Sequence, residues 1–260
     1  MFLEKILKSV NKRLDIKKAA LPMGKIVELS TNMPQRRDFP FEKALITNDI
    51  AFICEIKKAS PSKGIISHDF PYMQIAKDYV NGGAAAISVL TEPEFFLGRD
   101  EYLLDISKSV PIPTLRKDFV TDPYQIYEAK LLGASAILLI AEILEEKSIR
   151  EYISIAHSLG LSALVESHSM SQMEKAIAGG ARVIGVNNRN LVTFEVDINT
   201  SINLRKIAPP ELIFVSESGI SGAEDIALLR ENKVNAVLIG ERLMRSADRV
   251  KTLENLRCKK

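Results

Sequence analysis

The sequence predicts an α/β fold: a single (β/α)8 barrel carrying an N-terminal helical extension. Three observations predict it. The chain has 260 residues, and one such barrel needs roughly 250. A cadence recurs along it, in which a helical stretch ends at glycine or a polar break and a short apolar run follows. Eight apolar runs are found, and helical patterns separate them throughout.

Taken in order, residues 1–48 read as a helical arm, lysine-bearing at its start and broken by prolines over 33–40. Residues 49–260 read as the barrel, with strands expected at 51–57, 85–90, 113–118, 135–140, 162–166, 182–187, 212–217 and 235–239. The cadence is clearest at Gly82-Gly83-Ala84, Gly133-Ala134 and Gly179-Gly180-Ala181, with a variant at Asn235-Ala236. Glycine just past a helix end is the common left-handed stop. A nearly continuous apolar run afterwards is how a strand buried on both faces reads. Helix starts are expected at Asp122-Pro123 with Gln125, at Ser169 with Gln172 and at Ser221 with Glu224, the spacing of capping boxes. Strands alternating with helices pair in parallel through right-handed crossovers. Eight units favour a closed barrel; an open doubly wound sheet is the other arrangement of the same pattern.

Composition removes several function classes. Hydrophobic residues make up 46% and charged residues 26%, with a formal net charge of +2, so neither a nucleic-acid nor a membrane partner is indicated. The arm's first residues carry lysines and a glutamate, unlike a signal peptide, and no apolar stretch is long enough to span a bilayer. The two cysteines, Cys54 in an apolar run and Cys258 in a basic tail, form neither a disulfide framework nor a metal spacing. A reducing, cytoplasmic setting follows. The three histidines, His68, His157 and His168, are not paired at ligand spacing, so no metal site is expected.

Active sites of this fold sit at the C-terminal ends of the strands. Ionisable residues gather there: Glu55 and Lys57 on the first, Arg116-Lys117-Asp118 on the third, Glu166 and His168 on the fifth, Asn187-Asn188-Arg189 on the sixth and Glu217 on the seventh. Strand side chains alternate, so Glu55 and Lys57 share one face and Cys54 and Ile56 the other. A single such residue reads as a solvated strand end. Several together on otherwise apolar strands need partners or a ligand, because unpaired buried charge is costly. Lysines beside carboxylates in a cleft suit acid and base work.

Loops after strands seven and eight often bind phosphate in such barrels. Here they carry Glu217-Ser218-Gly219-Ile220 and Ile239-Gly240-Glu241. Glycine lets the backbone approach so that N–H groups hold the anion; Gly219 and Gly240 also fit as plain turn residues. The loop Ser60-Pro61-Ser62-Lys63-Gly64 reads equally as a lid or as a surface turn.

Five ordered segments resemble those of the indole-3-glycerol-phosphate synthase family. They are Glu55-Ile56-Lys57-Lys58-Ala59-Ser60-Pro61-Ser62, Leu115-Arg116-Lys117-Asp118-Phe119, Leu164-Val165-Glu166, Gly185-Val186-Asn187-Asn188-Arg189-Asn190-Leu191 and Ser216-Glu217-Ser218-Gly219-Ile220. The resemblance implies closure of an indole ring on a carboxyphenylamino-deoxyribulose phosphate, with loss of carbon dioxide and water. It implies Lys117 as general acid and Glu166 as general base of the dehydration. Lys57 is implied to contact the substrate carboxylate or phosphate and share acid duties, with Glu55 and Asn187 orienting these groups. Glu217 and Ser60 are implied to line the pocket and Arg189 to hold anionic groups, with Ser218, Gly219 and Gly240 around the phosphate. Glu241 is expected to contribute through its backbone, its side chain turning away. Phe95, Phe96 and Phe119 are candidate walls for the aromatic ring, each of which also fits as core.

The forming ring itself supplies a cationic iminium as the electron sink for decarboxylation, so no coenzyme is expected. The implied partner is a small phosphorylated substrate. The resemblance leaves room for a monomer or a homodimer and for contacts with other tryptophan-pathway enzymes. Phosphoribosylanthranilate isomerase, a related phosphate-binding barrel, needs a cysteine and aspartate pair, whereas Cys54 should face away from the mouth. A non-catalytic decayed barrel would have lost the charged strand ends.

Overall fold

The computed structural model describes residues 2–190, 193 and 195–257; Leu191 and Cys258, singled out above, lie outside the described residues. Eight strands close into a parallel barrel: β1 (Ala51–Ile56), β2 (Ala86–Leu90), β3 (Thr114–Lys117), β4 (Ala136–Ile140), β5 (Ser162–Ser167), β6 (Val183–Asn187), β7 (Ile213–Glu217) and β8 (Ala236–Ile239). Each pairs with its neighbours in sequence, and β8 pairs with β1 in the register Ala51 to Ala236 and Cys54 to Ile239. All eight expected strands are present, and the open sheet is excluded. A two-residue antiparallel ladder joins Ala59–Ser60 to Gly64–Ile65, so the loop after β1 is a small hairpin.

Helices α1 (Phe2–Ala20), α2 (Met23–Thr31) and α3 (Pro40–Leu45) precede β1. The proline-broken segment is therefore partly ordered. Pro40 opens α3, where the missing N–H is not needed, and Phe41 and Leu45 pack into the barrel interior beside Ala51, Ile53 and Ala86. Helices α4 (Tyr72–Asn81), α5 (Asp100–Ser109), α6 (Tyr124–Leu131), α7 (Glu146–Ser158), α8 (Met170–Ala178), α9 (Asn199–Ile207) and α10 (Ala223–Glu231) follow β1 to β7 in turn. After β8 come the single turn α11 (Glu241–Met244) and α12 (Arg249–Arg257).

The period-two alternation of the strands divides the core in two. Ile53, Leu115, Leu138, Leu164, Val183, Val215 and Leu238 fill the barrel. Phe52, Cys54, Ile56, Ile87, Val89, Val165 and Phe214 face the helices. Cys54 thus points outward as expected, and burial pushes its thiol pKa far up, leaving it a packing group.

The glycine cadence is explained by backbone shape. Gly133 and Gly180 take positive φ of 80° and 88° directly after α6 and α8. At the variant site before β8 the same turn falls to Lys233, at φ 57°. Two helix starts differ from expectation. Asp122 Oδ1 accepts from the Tyr124 N–H at 2.9 Å, as a capping side chain does, and Pro123 is already helical, but Gln125 Oε1 accepts from the N–H of Thr121 rather than of Asp122, so the expected box is displaced by one residue. At α10 the cap is Gly222, and Asp225 Oδ2 accepts from the N–H groups of Ser221 and Gly222. Asp225, not Glu224, closes that turn because the helix starts one residue later. Ser169 does cap α8, accepting from Gln172 N–H at 3.4 Å.

Candidate active site

The inward-pointing residue at the end of a strand meets the mouth of the barrel, and six such positions are polar. Glu55 and Lys57 come from β1 and the residue after it, Lys117 from β3, Glu166 from β5, Asn187 from β6 and Glu217 from β7. All six line one cavity of about 630 Å3. Leu90, Leu138, Ile140 and Leu238 form its apolar floor.

Lys117 is the centre of this group. Its Nζ lies 3.2 Å from Glu166 Oε2 and 3.6 Å from Glu217 Oε2. Burial disfavours its charge, but Glu166, Glu217 and Glu55 outweigh that, so its pKa is raised and it stays an ammonium. Burial likewise opposes ionisation of Glu166. The charges of Lys117 and His168 and the hydrogen bond from Asn187 Nδ2, at 3.3 Å, prevail and hold its carboxyl below the usual range. Glu217 goes the other way: burial, reinforced by Glu166 and Glu55, overcomes Lys117 and pushes it up to about 8. Burial acts on both carboxyls, and the closer approach of Lys117 to Glu166 than to Glu217 sends their pKa values in opposite directions. Lys57 Nζ donates to Glu55 Oε1 at 2.5 Å, a second lysine–carboxylate pair across the mouth.

Two glycines leave room for these carboxylates. A Cβ on Gly185 of β6 would overlap Glu217 Oε1, and one on Gly240 would lie 2.6 Å from Glu55 Oε1. Ser218 and Gly219 take consecutive left-handed conformations, φ 66° and 79°, and line the cavity together with Gly240 and Arg189. Arg189 N–H donates to Asn187 Oδ1 at 3.1 Å. Glu241 Oε1 lies 3.2 Å from Arg245 Nε and 3.8 Å from Lys63 Nζ, and Glu241 lines the cavity with Arg245. Phe96 and Phe119 line one wall with ring centroids 6.1 Å apart; Phe95 does not line it.

Every expected site residue from Glu55 to Glu241 lines this cavity, Ser60 included. Three others at the strand ends do not work as the sequence suggested. Arg116, outward by alternation, is 1% exposed among Asp100, Asp118 and Glu128 behind the strand. Asn188 is turned into a hydrogen-bond set with Ser201, Ser216 and the Ser218 carbonyl that braces the loop after β7. His168 lies behind Glu166 rather than lining this cavity. Sequence reasoning missed Leu3 and Ile6 of α1, which close the mouth, and Arg242 and Arg245, which bring two cations beside Ser221 and Gly240. The spacing of Arg242 and Arg245 after Gly240 carries that signal; nothing local tells where α1 docks.

A parallel barrel whose mouth sets an ammonium among buried carboxylates, beside left-handed glycine loops and added arginines, defines an acid–base enzyme of the (β/α)8 class. Residues 3–256 match the family model for indole-3-glycerol phosphate synthase. The protein of that name from Ruminiclostridium cellulolyticum is 54% identical over 257 residues, covering 99% of each chain. That from Lachnoclostridium phytofermentans is 49% identical over 268 residues, again 99% of each. The chain belongs to the indole-3-glycerol phosphate synthase family. Among solved structures, a 3-hexulose-6-phosphate synthase superposes with a TM-score of 0.65 at 13% identity, over 80% of this chain and 98% of that one, a likeness of fold.

Proposed function

We propose that this chain converts a carboxyphenylamino-deoxyribulose phosphate to indole-3-glycerol phosphate, the product that its family name gives. The observation that carries the residue roles is Lys117 between Glu166 and Glu217. The anthranilate carbon bearing the carboxylate attacks the ribulose carbonyl carbon, and Lys117 gives a proton to the carbonyl oxygen. The ring nitrogen becomes an iminium. Carbon dioxide leaves, and the electrons of the broken bond neutralise that nitrogen. The new hydroxyl then departs as water with a proton from a lysine, and Glu166 takes the proton of the neighbouring ring carbon.

Glu55 holds Lys57 for contact with the substrate's anionic groups and for acid duty, supported by their hydrogen bond. Asn187 orients Glu166, supported by its donation to Oε1. Ser218, Gly219 and Gly240 present backbone to the phosphate, with Arg189 adding charge and Phe96 and Phe119 flanking the aromatic ring. Among the described residues no helix is long and apolar enough to cross a membrane. A cytoplasmic setting is supported by cysteine usage, since Cys54 is a buried free thiol.

The test is direct. Purified protein incubated with the substrate should develop indole fluorescence. Lys117→Met should lower kcat by on the order of 10²–10⁴-fold with an unchanged circular dichroism spectrum. Near-normal turnover by that variant would move the acid role to Lys57.

A further inference from the structure

We propose that His168 and Glu142 form a proton inlet that recharges the acid–base pair at the mouth of the barrel. The inference rests on the reading of Lys117 and Glu166 just given. Atom balance creates the need. Ring closure and dehydration together consume two protons, one on the carbonyl oxygen and one on the departing hydroxyl. They return one, from the ring carbon to Glu166. The substrate carboxylate leaves as neutral carbon dioxide, so each turnover takes one proton from solvent. Glu166 is 3% exposed and Glu217 1%, so neither meets solvent freely.

His168 has Glu166 near one ring nitrogen and the more exposed Glu142 near the other. It follows β5, and its backbone N–H donates to Gln172 Oε1 at 2.7 Å. Its side chain is 13% exposed, with Nε2 3.6 Å from Glu166 Oε1 and Nδ1 3.9 Å from Glu142 Oε2. Glu142, in the loop after β4, is 35% exposed. Both imidazole nitrogens are buried and hydrogen-bond to no described protein group. A buried polar atom left unpaired costs about 1–3 kcal/mol, so a histidine held this way calls for an explanation. The spacings lie just beyond hydrogen-bond reach, so the relay proposed here includes a movement of the ring that closes each of them in turn. Imidazole both takes and gives a proton near neutral pH.

The other charged or polar groups around this path fit the assignment. Lys117 of β3 contacts the second Glu166 oxygen, Oε2. Asn187 of β6 holds Oε1. Lys175 of α8 donates to the carbonyls of Ala141 and Leu144, on either side of Glu142 in the chain. A second cavity, about 590 Å3, is lined by His168 with Asn187, Arg189, Glu195 and Asp197.

The steps balance. Glu142 takes a proton from hydronium or a buffer acid in the solvent. His168 accepts it at Nδ1 while releasing the Nε2 proton to Glu166 Oε1. Glu166, now a carboxylic acid, passes a proton through Oε2 to the neutral Lys117 left by ring closure. Lys117 is an ammonium again and Glu166 is a carboxylate ready to serve as base; the ring returns to its Nε2–H form by turning towards the second cavity that it lines, where it loses the Nδ1 proton to water and gains one at Nε2.

His168→Gly tests this, because it opens a space next to the second cavity. Its kcat should fall at least about tenfold with KM unchanged. Added imidazole should restore the rate in a saturable way while leaving the unsubstituted enzyme unaffected. Glu142→Gln should show the same fall in kcat, relieved by raising small-buffer concentration. A His168→Gly protein of native melting temperature that keeps full kcat overturns the inlet; so does one whose loss no imidazole or buffer relieves. Glu166→Gln separates the two readings. If it is inactive while His168→Gly is unaffected, only the inlet fails; if it keeps full activity, the base assignment itself is wrong.

Discussion

At the residue scale, the site depends on a side chain that is absent. Gly185 sits one strand over from Glu217, in the register that pairs it with Val215, and the space a Cβ would take is filled by Glu217 Oε1. A backbone atom cannot yield as a flexible chain can, so Gly185→Ala must push the carboxylate off its position. Glu217 would then lose its 3.6 Å contact to Lys117. We expect Gly185→Ala to lower kcat and to destabilise the fold by about 1–3 kcal/mol, the usual cost of overpacking. Shortening the displaced group should help, so Gly185→Ala with Glu217→Asp should regain part of the stability lost by the single variant. Steady-state kinetics and thermal melts of the three proteins check it. A Gly185→Ala enzyme indistinguishable from the parent would mean that Glu217 is free to move.

At the scale of elements, the helical arm and the third strand are joined by buried charge. Arg13 of α1 reaches Asp118 Oδ1 at 3.0 Å and Oδ2 at 3.1 Å, and Glu92 at 3.6 Å. Lys17 pairs with Glu128 at 2.6 Å and with Asp100. Arg116 of β3 closes the set through Asp100 at 3.0 Å and Glu128 at 2.6 Å, with Nη1 on the Gln125 carbonyl. Burial works against the Arg116 charge, but Glu128, Asp100 and Asp118 overcompensate and raise its pKa. The network flanks Lys117 in the chain and fixes α1, whose Leu3 and Ile6 close the cavity. Removing one partner of a buried ion pair strands the others, at a cost of roughly 3–5 kcal/mol. Arg116→Met should therefore lower the free energy of unfolding by about that much, and denaturant titration measures it. A loss under about 1 kcal/mol would show that water reaches and screens these carboxylates.

At the scale of the whole molecule, one buried acid should be visible in global stability. Glu217 has a folded pKa raised from 4.5 to about 8, with burial as the leading cause. Ionising it is harder in the folded protein than in the unfolded chain. The penalty is absent below pH 4.5, grows as pH rises and is complete above about pH 8. Glu217→Gln removes the titration. Its melting temperature relative to the parent should rise between pH 5 and pH 8.5, by roughly 2–4 °C per kcal/mol for a chain of this size. A difference that stays flat with pH would mean that Glu217 is ionised throughout.

The parts of this protein written in local pattern were legible from its amino-acid order. Eight apolar runs, glycine stops such as Gly133 and Gly180, and alternation along 51–57 foretold the barrel and the inward face of Glu55 and Lys57. Those signals are carried by neighbours one to four residues apart, the range over which strand and helix periods act. Arg116 shows where that range ends. Beside Lys117 in sequence, it reads as a mouth residue, yet alternation sends it behind the strand, and only packing brings Arg13, Asp100 and Glu128 around it. The same holds for Leu3 and Ile6, for the room Gly185 leaves for Glu217, and for His168 between Glu142 and Glu166. Each depends on groups far apart in the chain meeting at contact distance, and on burial deciding which of them stays charged. Those distances and that burial come into being when the barrel closes, so the tertiary structure alone decided them.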